Sequence, residues 1–340
     1  MLLLHLMLYS KAMAEEMNSR SRQYGRRVPM YGYAGIAVII VAETLHFAGN
    51  QVIGRWFTAI VWTAYILFID SLVYRLKGSS LIASGRAELL IIAVISIVCW
   101  WLFEFYNAPR FWQPGPEIWW HYHNLEPNPF VRRAGYDWAF ATIFPALFET
   151  AELINLVLFK SRRPGRAITL RRPIMYLLIG AGAVSALVPL LVISAYLVPL
   201  VWLAYILMLD PINYLRGWPS ITGDLAKGNY RRLASLLLAG LICGVLWEFW
   251  NYWAISKWTY TVPYLGNIKL FEMPVLGFLG FLPFAIECWA MYIFSRSLLG
   301  SRLGSGNGLA LHDDSIDEFW IATEAPSGTV AQSSPLRAHL

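Results

Sequence analysis

The sequence predicts an all-α integral membrane fold of eight transmembrane helices, arranged as two tandem parallel four-helix repeats. Three observations carry this. The 340 residues are 57% hydrophobic and only 14% charged, against about 25% charged in an ordinary soluble domain. The apolar residues gather into runs of the roughly 20 that a helix needs to cross a hydrocarbon core, longer than barrel strands require. The chain also repeats itself: "VWTAYILFID" at 61 to 70 returns as "VWLAYILMLD" at 201 to 210, with Asp70 over Asp210.

The spans are expected at 28 to 48, 52 to 76, 86 to 107, 136 to 160, 173 to 193, 195 to 215, 230 to 253 and 273 to 298. Segment 1 to 27 precedes the first and carries Lys11, Arg20, Arg22, Arg26 and Arg27. Its opening "MLLLHLMLYSKAMAEEM" has a short apolar stretch whose first positive charge follows it, the reverse of a secretory leader. Met13 or Met17 is an alternative start. Arg75, Lys77 and Arg86 join the second span to the third, a basic linker at 161 to 172 separates the halves, and Arg216, Lys227, Arg231 and Arg232 follow the sixth span. Only Arg55, Arg110, Arg132, Arg133, Lys257 and Lys269 lie on the other side. The positive-inside rule then puts both termini in the cytoplasm, in a cytoplasmic (inner) membrane, with 299 to 340 as a Gly- and Ser-rich disordered tail. The net charge of +6 is accounted for by these loops and calls for no nucleic-acid partner.

The repeat is traceable beyond that first match. At an offset of 144, Cys99, Leu102, Glu104, Phe105 and Asn107 fall on Cys243, Leu246, Glu248, Phe249 and Asn251, and at an offset of 138 Pro145 and Glu149 fall on Pro283 and Glu287. The halves are 28 to 160 and 173 to 298. A unit with an even number of spans re-enters the membrane in the same orientation, so the halves are parallel and matched acids should meet at equal depth. The longest outer loops, 108 to 135 and 254 to 272, hold Trp112, Trp119, Trp120, Tyr122, Trp258, Tyr260 and Tyr264.

Glu149 and Glu287 are the leading candidates. Each sits about a dozen residues into its expected span, where an ionised acid costs at least about 2.5 to 3.5 kcal/mol and marks a polar interior. Each follows a proline by four residues, and that proline frees a carbonyl which a protonated acid can satisfy. Gluing of kinked helices and proton donation are both consistent with this position. Glu104 and Glu248 lie near the outer span ends, three residues before Asn107 and Asn251, so acid and amide share a helical face; headgroup snorkelling is the alternative. Asp70 and Asp210 are expected to pair at helix ends with nearby arginines. Glu43 and His46 form one Glu-x-x-His pair where a carboxylate metal site needs two, and His121, His123 and Glu126 sit in a loop. No cofactor or metal is expected, and no phosphate-binding, dinucleotide or serine-hydrolase motif occurs. Cys99, Cys243 and Cys288, inside apolar runs, read as small buried hydrophobes.

In residues 247 to 287, the order Glu248, Trp258, Tyr260, Gly266, Ile268, Glu272, Pro274 resembles one domain of the membrane lycopene cyclases; Glu104, Trp120 and Tyr122 keep part of it in the first half. That family's paired glutamates after the proline are replaced here by Val275, Leu276 and Gly277. The resemblance implies a cyclase or hydratase of long isoprenoids, in carotenoid-type biosynthesis. One buried acid would protonate a carbon–carbon double bond while a second steadies the cation or takes a proton, with aromatic faces stabilising positive charge. On this reading Glu149, Glu287, Glu104 and Glu248 are catalytic, and Asn107, Asn251, Trp247, Trp258, Tyr260 and Glu272 bind the apolar substrate. Two readings from other classes use the same acids: a proton-coupled transporter or channel, and a noncatalytic scaffold.

Overall fold

The computed structural model describes residues 26–108, 115–159, 163–261, 263 and 265–300. The readings of the opening segment and of the tail fall on residues outside these. The described residues hold eight helices long and apolar enough to cross a membrane, as an integral membrane protein requires: Met30–Phe47, Gln51–Lys77, Arg86–Asn107, Pro129–Phe159, Arg172–Leu191, Ala195–Leu215, Arg231–Trp253 and Val275–Gly300.

In chain order, α1 (Met30–Phe47) and α2 (Gln51–Lys77) lead through a one-turn α3 (Leu81–Ser84) to α4 (Arg86–Asn107), and strand β1 (Trp120–His123) precedes α5 (Pro129–Ala141) and α6 (Ile143–Ile154). The second set runs α7 (Arg172–Leu191), α8 (Val198–Leu215), a short α9 (Ile221–Ala226), α10 (Arg231–Trp253), strand β2 (Lys257–Tyr260) and α11 (Phe278–Gly300). Two two-residue strands, β3 (Lys269–Leu270) and β4 (Met273–Pro274), pair just before α11. Helix pairs α1/α2 and α7/α8 flank a centre of α4, α6, α10 and α11, in which α10 packs on α6 and α11 on α4. The flanking pairs approach closely through Gly35 and Gly182, where an added Cβ would lie 2.5 Å from Ala64 O and 2.6 Å from Ala204 O. Small residues serve this purpose in lipid, where helix association depends on packing.

Seven span boundaries lie close to their expected positions; the fourth span starts at Pro129, ahead of the expected 136. The side chain of Asn128 caps the Phe130 and Val131 amides, with Pro129 in the first turn, a start signal written in the residues themselves. This span is two helices meeting at Thr142. Pro145 obstructs the preceding turn, and Ser96 of α4 fills the break: its hydroxyl donates to Phe140 O at 2.5 Å and accepts from Phe144 N at 3.1 Å. A hydroxyl from a neighbouring helix thus meets the broken ladder, where the sequence suggested a glutamate.

The short helices α3 and α9 explain the two aspartates. Asp70 accepts hydrogen bonds from Tyr31 OH (2.6 Å), Ser80 Oγ (2.8 Å) and Ile82 N (2.8 Å), and Asp210 from Ile221 N (2.7 Å), Thr222 N (2.9 Å) and Thr222 Oγ1 (2.6 Å). Among the described residues no arginine hydrogen-bonds either carboxylate; in place of the expected pairing, open helix N-termini put amide donors directly against them, with Arg232 near Asp210 acting only through its charge. At the same, arginine-rich end, Arg296 of α11 donates through Nε to both oxygens of Glu88 on α4, at 2.9 and 3.1 Å, and Tyr292 OH adds a third bond at 2.6 Å. Glu88 and Arg296 are both buried.

Removing one member of that pair strands a buried charge. Glu88→Ala should lower stability in detergent by about 3 to 5 kcal/mol, whereas the apolar pair Glu88→Leu with Arg296→Met should recover most of the loss. Thermal unfolding of the purified variants measures both; an Ala variant as stable as the parent would remove the pair from the account of the fold.

Candidate functional site

The site is built where the two outer loops meet. β1 and β2 pair antiparallel, Trp120 opposite Tyr260 and Tyr122 opposite Trp258. Because side chains alternate along a strand, these four aromatics share one face. His121 and His123 lie on the other, each on a threonine hydroxyl of the second loop: His121 with Thr261 Oγ1 (2.7 Å) and His123 with Thr259 Oγ1 (2.8 Å). Loops that read as surface segments are therefore a ribbon lying across the end of the bundle.

Two asparagines hold the ribbon down. Asn107, the last residue of α4, accepts from Trp119 N (2.8 Å) and Trp120 N (3.2 Å) and donates to Trp120 O (2.8 Å). Asn251 accepts from Trp258 N (2.9 Å) and donates to Trp258 O (2.8 Å). Each amide thus copies a strand's hydrogen-bonding edge, and both residues are fully buried. They position the aromatics and do not line the cavity beneath.

That cavity has a volume of about 500 Å³. Its walls include Trp62, Trp100, Trp120, Trp202, Trp247, Trp258, Tyr122, Tyr136, Tyr260, Phe140, Phe281 and Phe284, and Arg55, Glu126 and Arg132 also line it. Adjacent rings brace one another: Trp62 and Trp247 lie 4.9 Å apart, Trp202 and Phe284 5.2 Å. Of the sequence candidates, Trp247, Trp258 and Tyr260 form part of this wall. Trp62, Trp100, Trp202 and Tyr136 went unread, although Trp62 and Trp202 occupy matched positions in the repeated ten-residue stretch.

Two carboxylates stand directly behind the aromatic wall. Glu104 Oε1 accepts from Trp100 Nε1 (2.9 Å), Trp120 Nε1 (3.1 Å) and Tyr122 OH (2.5 Å). Glu248 Oε1 accepts from Tyr260 OH (2.7 Å), which in turn accepts from Trp258 Nε1 (2.6 Å). Glu248 Oε2 is buried with no hydrogen-bond partner among the described residues. Burial and the adjacent Glu104 push the Tyr122 hydroxyl well above its ordinary range, and burial with Glu248 does the same at Tyr260. Both phenols therefore remain protonated donors at neutral pH.

The other candidates lie apart from this constellation. Glu149 Oε1 accepts from Leu81 N at 3.4 Å, at the arginine-rich end, and Glu287 Oε1 from Tyr205 N at 3.1 Å in α8. Neither lines the cavity, and their partners are unmatched, so the expected pair of acids in equivalent surroundings is not formed. The longer fourth span accounts for part of this, since Glu149 lies twenty residues from Pro129 while Glu287 lies twelve from Val275. Glu272 is ion-paired with Lys257 Nζ at 2.6 Å. Glu43 receives Trp250 Nε1 at 3.1 Å, and His46 Nε2 lies 2.7 Å from Trp253 O, docking α1 on α10. Among the described residues no group of three or more His, Cys, Asp or Glu could hold a metal ion.

Compared with known proteins, the chain matches no family model, no curated protein and no solved structure. The likeness to the membrane lycopene cyclases rests on motif order alone.

Asn107→Ala would leave the amides of Trp119 and Trp120 without their acceptor, each orphaned group costing about 1 to 3 kcal/mol. Hydrogen exchange at these two amides should accelerate by about tenfold or more, with Asn107→Asp, which keeps the acceptor, intermediate. Unchanged exchange in the Ala variant would mean that the ribbon is held by something else.

Proposed function

We propose that this protein is a membrane enzyme acting on a long isoprenoid or another lipid-dissolved chain by carboxylate acid–base chemistry, of cyclase or hydratase type. One observation carries the reading: two tyrosines that line a single aromatic cavity, Tyr122 and Tyr260, each donate to a buried glutamate behind the wall, Glu104 and Glu248. In a proton-initiated reaction, a proton adds to one carbon of a double bond and leaves a cation on the other. Ring closure onto a second double bond moves that cation, and loss of a neighbouring proton restores neutrality, so no oxidant or reductant is consumed. The indole and phenol faces attract positive charge through their quadrupoles. Glu104 and Glu248, each linked to the cavity through a tyrosine, are the groups that give and take the proton; Glu149 and Glu287 have the supporting role of satisfying backbone amides.

The matched contacts of Asn107 with Asn251, Asp70 with Asp210, and Tyr122 with Tyr260 support a tandem parallel repeat with the cavity between its halves. With the basic connections on the cytoplasmic side, the ribbon faces outward and both termini face the cytoplasm. A lipid-dissolved substrate then reaches the cavity from the bilayer. This is the partner that an apolar, ring-lined wall selects.

Chromatography with mass spectrometry of the lipid extract from a polyprene-producing host, with and without the protein, tests the reading. A new isoprenoid isomer or a mass shift of one water is expected. Glu104→Gln and Glu248→Gln should each reduce it by about a hundredfold or more, while Glu287→Gln stays within a few-fold of the parent. An unchanged extract from membranes containing folded protein would overturn the enzyme reading and leave proton-coupled transport, measured as flux in proteoliposomes, as the better account of the acids.

A further inference from the structure

On α2, Arg55, Thr58 and Trp62 follow one another by three and four residues and so share a helical face. All three line the cavity. Each carries a buried polar atom with no hydrogen-bond partner among the described residues: Arg55 Nε, Thr58 Oγ1 and Trp62 Nε1. Trp62 itself is only 1% exposed. A single orphaned polar group in a protein interior costs about 1 to 3 kcal/mol, and on three cavity-lining residues of one helix that cost falls if a side-chain rotation brings the group to acceptor oxygens on a bound molecule.

Charge at the same wall narrows the choice. Arg55 Nη1 lies 2.9 Å from Glu126 Oε2; that ion pair and the Asn128 amide hold the Glu126 carboxyl below its usual range, so the pair is close to neutral. Arg132 is a second guanidinium at the cavity, and it has no ion pair among the described residues. Arg55 and Arg132 both lie within the first turns of helices that start at the ribbon end, the depth of lipid headgroups. Deeper in, the lining is aromatic. Leu203, Leu276 and Leu279 also line the cavity and are exposed, apolar side chains past which a chain in the bilayer can enter.

We propose that the cavity binds an amphiphile with an anionic oxygen head group, phosphate or carboxylate. The head sits at Arg55, Thr58 and Arg132, and the hydrocarbon chain runs among the tryptophans. Guanidinium groups suit such oxygens because they offer paired donors in a fixed plane. The proposal rests on the cavity being the substrate site and names the substrate class for it.

Quenching of tryptophan fluorescence in the full-length protein, in detergent, tests it with four probes: farnesyl phosphate, farnesoic acid, farnesol and inorganic phosphate. Farnesyl phosphate and farnesoic acid should bind at least tenfold more tightly than farnesol, and millimolar inorganic phosphate should not displace them. Arg132→Gln should shrink that ratio several-fold, and Arg55→Gln with Arg132→Gln should erase it while farnesol binding stays unchanged. Equal binding of farnesol and farnesyl phosphate to the parent, or a ratio that survives Arg132→Gln, would overturn the proposal. Arginine-dependent binding of inorganic phosphate with no effect of the tail would replace the lipid with a free anion. Glu104→Gln should keep the head-group preference, so loss of turnover in that variant with selective binding intact separates this site from the catalytic reading.

Discussion

The end of the bundle depends on two side-chain amides behaving as pieces of backbone. A strand laid over helix ends exposes unpaired N–H and C=O groups, and in a nonpolar setting each costs free energy comparable to a lost hydrogen bond. Asn107 and Asn251 each offer an acceptor and a donor in the spacing of a strand edge, at the one point where α4 and α10 run out. With the amides in place, β1 and β2 can pair with each other, and the pairing register decides which rings face inward. A shift by one residue would turn the four aromatics outward and bring His121 and His123 over the cavity.

The register in turn sets the surroundings of the acids. Glu104 and Glu248 lie one turn before their asparagines, so the amide that anchors a strand brings that strand's tyrosine to the glutamate on the same helix face. The two sites are alike in plan and unequal in detail. Glu104 Oε1 collects three donors while Glu248 Oε1 accepts from one tyrosine and its second oxygen has no partner.

The features that read directly from the sequence are those that follow from burial in lipid. Span length and apolar character mark the eight membrane-length helices, and the proline, asparagine and glycine signals at their ends are local. The acid–amide pairs were visible because recurrence singled them out, though their role was not: a glutamate beside Trp and Tyr looks the same whether the rings belong to a headgroup belt or to a ribbon folded back on it. The ribbon was hidden for the same reason, since "WWHYH" and "KWTY" alternate rings with polar residues as a half-buried strand does but are too short to stand out from an aromatic-rich background. The Glu88–Arg296 pair joins residues 208 positions apart, and no local pattern announces a contact set by packing. Asp70 and Asp210 point to arginines because charge is legible in a sequence, whereas the open amides of short helices are not.

The cavity has a further consequence for how the chain is organised. Its ribbon takes β1 from the first four spans and β2 from the last four, and its walls take Trp62 and Trp100 from one set and Trp202 and Trp247 from the other. Neither set encloses the space alone. Trp120 and Tyr122 from one set and Trp258 and Tyr260 from the other line the same volume, and Glu104 and Glu248 stand behind those tyrosines, one from each set. The acids behind this shared wall are held differently, three donors on Glu104 Oε1 against the Tyr260 hydroxyl on Glu248 Oε1, because the two strands of the ribbon bring different rings to the two helices they cross.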